Sequence, residues 1–151
     1  MELLLGSHVR EYGERVGRLA GLELEPASRR IRRIVFSADG DLGPQVVSRP
    51  RFAISHVHDN AEIELRADID AEVLPAVPDV FLLSRATRLK RSGHDQGRVV
   101  GVEVNQADWE IQSVFGRRHW LSKRFVVRAN GLDFSVPGEI RAAVAAASSA
   151  A

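Results

Sequence analysis

Cysteine is absent from this 151-residue chain, so disulfide staples, cysteine-ligated zinc and a thiol nucleophile are excluded together. Stability must come from burial of apolar surface. Lysine is almost absent too, with Lys90 and Lys123 alone beside the arginines. The basic side chain that predominates is the planar one suited to bidentate contact with carboxylate or phosphate. A formal net charge of +1 lacks the positive excess of proteins that coat nucleic acid. Long apolar runs are missing as well. Leu3-Leu4-Leu5 and Val80-Phe81-Leu82-Leu83 fall far short of the roughly 18 residues a membrane span needs, so no transmembrane segment is expected. The opening residues carry neither a basic stretch nor a long apolar one, which makes a secretory signal unexpected and a cytoplasmic location the default.

No Gly-x-Ser-x-Gly elbow, phosphate-binding loop or dinucleotide fingerprint occurs, and Gly13, Gly17 and Gly21 have the wrong spacing for a nucleotide loop. The expectation is a protein that is not an enzyme and uses no cofactor. What is present is ordinary globular composition, 44% hydrophobic and 27% charged.

The informative pattern is a repeat. Gly13 to Leu24 lies over Gly93 to Val104 without a gap, at an offset of 97 − 17 = 80 residues. Gly13, Gly17, Arg18, Gly21, Glu23, Ala27 and Ile31 recur as Gly93, Gly97, Arg98, Gly101, Glu103, Ala107 and Ile111. Leu22, Leu24 and Ile34 recur as Val102, Val104 and Val114, and these six are the expected core. Shared glycines mark shared backbone constraints, so the two segments are expected to share a fold.

Each repeat reads as β structure. Ala20, Leu22 and Leu24 alternate with Gly21, Glu23 and Glu25, the two-residue period of a half-buried strand. Turn signals at Glu25-Pro26-Ala27-Ser28 and Asn105-Gln106-Ala107-Asp108 place a hairpin at the same point in both copies. Further strands are expected at Val46-Val47, Phe52 to Val57, Glu62 to Leu65, Phe125 to Val127 and Leu132 to Phe134. No amphipathic helix separates them, which disfavours βαβ units. The prolines and acidic residues of 68–79 read as a linker, with one helical turn at Asp70 to Leu74. The alanine-rich stretch after Pro137-Gly138 predicts a short terminal helix.

Gly17-Arg18-Leu19-Ala20-Gly21-Leu22-Glu23-Leu24-Glu25-Pro26, followed by Ile31 to Phe36, resembles the core signature of the PRC-barrel family. Gly97 to Phe115 is similar, with Asn105-Gln106 in place of the acidic-Pro pair. The family includes the cytoplasmic domain of the photosynthetic reaction-centre H subunit and the C-terminal domain of a ribosome-maturation factor. The resemblance implies an all-β, bacterial-type protein of two tandem small β-barrels, at 1–67 and 80–136, to which the alanine-rich stretch adds a short helix and frayed tail at 137–151. It also implies an adaptor that docks a protein partner. Barrels of about 60 residues are marginal alone, so they are expected to pack together, directly or by exchange in a homodimer.

The candidate partner-binding residues are Arg29, Arg30, Arg32 and Arg33, the densest basic run, and Arg117, Arg118 and Trp120, an aromatic beside two arginines. An RNA- or ribosome-associated module using the Arg29 to Arg33 run is the alternative, although Glu23 and Glu25 stand where they would neutralise it across the hairpin. His56 and His58 share a strand face, but no third ligand is visible for a metal. A small-molecule or metal-dependent enzyme would need a deep inter-barrel pocket with converging polar groups.

Overall fold

The computed structural model describes residues 1–66, 77 and 79–142. Every regular element among them is a strand, apart from one 3-10 turn at Arg51–Ala53. The first seven strands are β1 (Glu2–Leu4), β2 (His8–Glu11), β3 (Glu14–Leu24), β4 (Ile31–Ser37), β5 (Val47–Pro50), β6 (Ile54–Val57) and β7 (Ile63–Leu65). The second seven follow in the same order: β8 (Phe81–Ser84), β9 (Arg88–Arg91), β10 (His94–Val104), β11 (Ile111–Arg117), β12 (Phe125–Arg128), β13 (Leu132–Val136) and β14 (Glu139–Ala142).

Two mixed sheets result, with strand orders β5-β4-β3-β2-β7-β6 and β12-β11-β10-β9-β14-β13. In each, one pair is parallel, β2 with β7 and β9 with β14, and the intervening strands make the crossover that a helix makes in a βαβ unit. The hydrogen-bonded path of each sheet stays open among the described residues, so the pairing closes no barrel.

The two sheets exchange their first strands. β1 pairs with β10 of the second repeat, and β8 pairs with β3 of the first. Leu3 opposes Val102 and Leu83 opposes Leu22, the same pairing displaced by 80 residues. The 11-residue length of β3 and β10 makes this possible. The early half of each long strand pairs with its own hairpin partner, β2 or β9, and the later half leaves an edge that the other repeat fills. A bulge between Leu19 and Gly21, and another between Val99 and Gly101, separates the two halves of each strand. It also explains why Leu19 and Ala20 are buried in succession, which the two-residue period does not foresee.

Tyr12-Gly13 and Ser92-Gly93 turn the β2–β3 and β9–β10 hairpins with positive φ at both central residues, the geometry that matches the twist of the flanking strands. Gly17 and Gly97 sit where the partner strand presses closest. A Cβ at Gly17 would lie 2.5 Å from the carbonyl oxygen of Ser37, and one at Gly97 would overlap that of Arg117. The two positions correspond, yet only Gly97 takes a positive φ, of 135°.

Arg29 and Trp109, also equivalent, both adopt left-handed backbone at the ends of their hairpin loops. Their carbonyls accept reciprocal hydrogen bonds between the repeats, from Ile111 N–H to Arg29 and from Ile31 N–H to Trp109, each at 2.9 Å. One continuous core spans both halves and contains Leu22, Leu24, Ile34, Val102, Val104 and Val114, all essentially inaccessible to solvent. Phe81 of β8 meets Phe134 of β13 edge to face, joining the sheets again.

The expected C-terminal helix is not formed over Glu139–Ala142, which is strand β14. Ile140 there is fully buried between the outward Glu139 and Arg141 and opposes Leu89, so tertiary pairing overrides alanine's helix propensity. The rest of that stretch, 143–151, lies outside the described residues, as does the expected helical turn at Asp70 to Leu74.

Candidate functional site

Three arginines stand side by side on neighbouring strands. Arg88 of β9 opposes Arg98 of β10, and Arg98 in turn opposes Arg117 of β11. Like charges directly opposite one another in a sheet destabilise it. The first repeat avoids the arrangement, because the equivalent row reads His8, Arg18, Ser37. Arg88 is neutralised by Asp95, to which it donates a hydrogen bond from Nε at 2.9 Å. That bond holds the Asp95 carboxyl below the usual aspartate range. Arg98 and Arg117 are exposed and make no ion pair among the described residues.

These side chains line a cleft of about 670 Å³ with Leu5, Arg85, Val99, Val100, Arg118, His119 and Trp120. Five guanidinium groups thus surround a floor formed by Leu5 from the first repeat and Val99 and Val100 from the second. Trp120 is 81% exposed, and Leu121 beside it 70%. Both are held out by a tight turn. Ser122 Oγ donates to the carbonyl of His119 at 2.7 Å, and the His119 N–H donates back to Ser122 Oγ at 3.0 Å.

A second cleft of about 600 Å³ adjoins the first and shares Arg85, Arg88 and Arg98 with it. Its far end is built by the corresponding loop of the first repeat, through Gly40, Asp41 and Leu42. That loop is shaped by short-range hydrogen bonds. Ser37 Oγ donates to the carbonyl of Asp41 at 2.8 Å, and the Asp41 N–H donates to the Asp39 carboxylate at 3.0 Å. The latter bond leads the interactions that depress the Asp39 pKa, with Ser37 adding to it. Asp41 itself is well exposed and reaches Arg85 only at 3.9 Å. The repeats therefore diverge most in chemistry where their equivalent loops meet this groove: basic and aromatic at Arg117 to Trp120, small and acidic at Ser37 to Asp41.

The Arg29 to Arg33 run is placed elsewhere, and its members separate. Arg29 reaches across to the second repeat, donating to Glu110 and to the carbonyl of Ala129, both at 2.9 Å. Its role is to join the repeats, with its main-chain carbonyl doing the same. Arg32 is buried, with Glu23 at 3.7 Å, so the cross-hairpin neutralisation is present for that residue. Arg30 is exposed and Arg33 half-buried. Of the expected site residues, Arg117, Arg118 and Trp120 converge, while the run does not join them.

Sequence reasoning missed Arg85, Arg88 and Arg98. The available signal was the repeat itself: Arg98 belongs to the shared Gly-Arg pair, but its cross-strand neighbour changes from serine to arginine between copies.

His56 and His58 lie on or beside edge strand β6, exposed, with ring centroids 4.7 Å apart. His58 meets Glu64 at 3.3 Å. No group of three or more metal-ligating side chains occurs among the described residues. No helix among them is long and apolar enough to cross a membrane. No model of a known protein family and no curated protein matches this chain.

Proposed function

We propose that this chain is a non-enzymatic adaptor that docks a protein partner in the arginine-lined cleft between its two PRC-type repeats. The observation that carries the reading is the opposed Arg98 and Arg117. Two like charges are held in register at a cost to the fold, with no ion pair to a carboxylate among the described residues, beside an exposed tryptophan. Carboxylates of a partner supply the missing countercharge, and guanidinium forks bind them in bidentate fashion. Trp120 and Leu121 add apolar contact area of the kind that anchors interfaces. The inter-repeat seat makes the tandem arrangement meaningful, since neither half builds the cleft alone.

The RNA-associated reading draws less support. The run it depends on spends Arg29 and Arg32 on intramolecular contacts, leaving Arg30 and Arg33.

Polyglutamate titrated into the full chain, with Trp109→Phe introduced so that Trp120 is the sole tryptophan and is excited selectively, tests the reading. A saturable change in Trp120 emission that weakens with salt and disappears in Arg98→Gln/Arg117→Gln is the expected result. An unchanged signal, or one that survives the double substitution, contradicts it.

A further inference from the structure

The adjoining clefts form one groove across the boundary of the repeats, and the groove has a charge direction. At one end stand Arg117, Arg118 and Trp120, in the middle Arg85, Arg88 and Arg98, and at the other end Asp41 with Leu42. A perfect repeat would present two matching ends. Here the two equivalent loops differ in sign.

We propose that the groove recognises a protein segment that is acidic at one end only, its carboxylates over Arg98, Arg117 and Arg118 and its neutral or basic end beside Asp41. This rests on the docking reading above and specifies the partner's charge pattern. The accessible apolar lining at Leu5, Val100 and Leu42 receives aliphatic side chains of the segment. Single-stranded nucleic acid suits the groove less well, because its phosphates recur along the whole strand and those at the far end meet the Asp41 carboxylate. A net charge of +1 also provides little long-range attraction for a polyanion. Asp41 is the discriminating group: it repels a segment that carries charge throughout and accepts one that does not.

The test is fluorescence anisotropy on the full chain at low salt with three labelled probes of equal length. One is a block peptide with glutamates in one half and leucine, alanine and a terminal lysine in the other. The second has the same leucines with glutamates throughout, and the third is oligouridine. The block peptide is expected to bind about two- to fivefold more tightly than the fully acidic one despite its lower charge, the range set by one exposed charge contact. Asp41→Asn should erase that preference. Arg117→Ala/Arg118→Ala should weaken the block peptide at least about tenfold, as loss of an interface anchor does. Circular dichroism of each variant checks folding, and all three altered side chains are exposed.

Tighter binding of the fully acidic peptide, or a preference unchanged in Asp41→Asn, overturns the charge direction while leaving the docking cleft standing. Tighter binding of oligouridine that depends on Arg117 and Arg118 overturns the peptide assignment in favour of nucleic acid. Absence of binding by every probe, or binding insensitive to the arginine substitutions, overturns both this proposal and the docking reading.

Discussion

Removing a charged side chain from this surface should make the protein more stable. In Arg117→Gln the side chain stays polar and the charge is lost. Arg98 directly opposes it on β10, with no ion pair for either residue among the described residues. Two unit charges about 6 Å apart repel by about 0.7 kcal/mol in bulk water, and screening over a Debye length of about 8 Å halves that near physiological salt. The expected gain is therefore about 0.3 to 0.7 kcal/mol, or about 1 to 3 °C in Tm for a domain of this size. Urea and thermal unfolding of wild type and variant, at low and high salt, measure it. The gap should shrink as salt rises. A variant less stable than wild type at low salt, or a gap indifferent to salt, would refute the claim that this pair is held against its own repulsion.

Other consequences follow from the core and the strand exchange. Leu22→Ala should cost about 2 to 5 kcal/mol in urea unfolding, since Leu22 is fully buried and opposite Ile34 and Leu83; a cost under about 0.5 kcal/mol would contradict the packing. Leu3→Ala should cost a similar amount and, by hydrogen exchange, lower protection at Gly101 to Val104, about a hundred residues away in the other repeat (102 − 3 = 99 at the opposed Val102), whereas a loss confined to the first sheet would contradict the exchange. On the acid side, Asp95, Asp39 and Asp133 have folded pKa values below the usual aspartate range, through hydrogen bonds led by Arg88, the Asp41 N–H and Ser135 respectively. The unfolded chain binds protons first as pH falls, so this stability is present above the usual aspartate pKa and is lost progressively as pH falls from there through the depressed folded values. Asp95→Asn should flatten the acid limb of stability against pH, and an unaltered limb would contradict the assignment.

The period of the apolar residues and the recurrence of glycines made the β class, the repeat offset and the β3–β4 and β10–β11 hairpins legible in the sequence. They depend on local spacing. Which strand fills which edge does not, and Leu3-Leu4-Leu5 carries no sign that it pairs beyond residue 100. The C-terminal segment was misread for a related reason: Ile140 between Glu139 and Arg141 has strand alternation, but three residues of it were outweighed by the alanines that follow. The basic run misled because charge density ignores direction. Arg29 is diverted to Glu110 by its left-handed backbone position in the interface between repeats, which only the fold supplies. Arg88 and Arg98, distant from Arg117 in sequence, join it in one row because β9, β10 and β11 lie adjacent.

Two-dimensional NMR of the full chain, following arginine Nε–H and tryptophan indole N–H signals as the acidic block peptide is added, shows whether the segment docks in the arginine-lined cleft. Arg98, Arg117, Arg118 and Trp120 should shift together and saturate with one affinity, while Arg30, Arg33 and Trp109 stay in place. Shifts concentrated on Arg30 and Arg33, with the cleft signals unmoved, would contradict docking in the cleft.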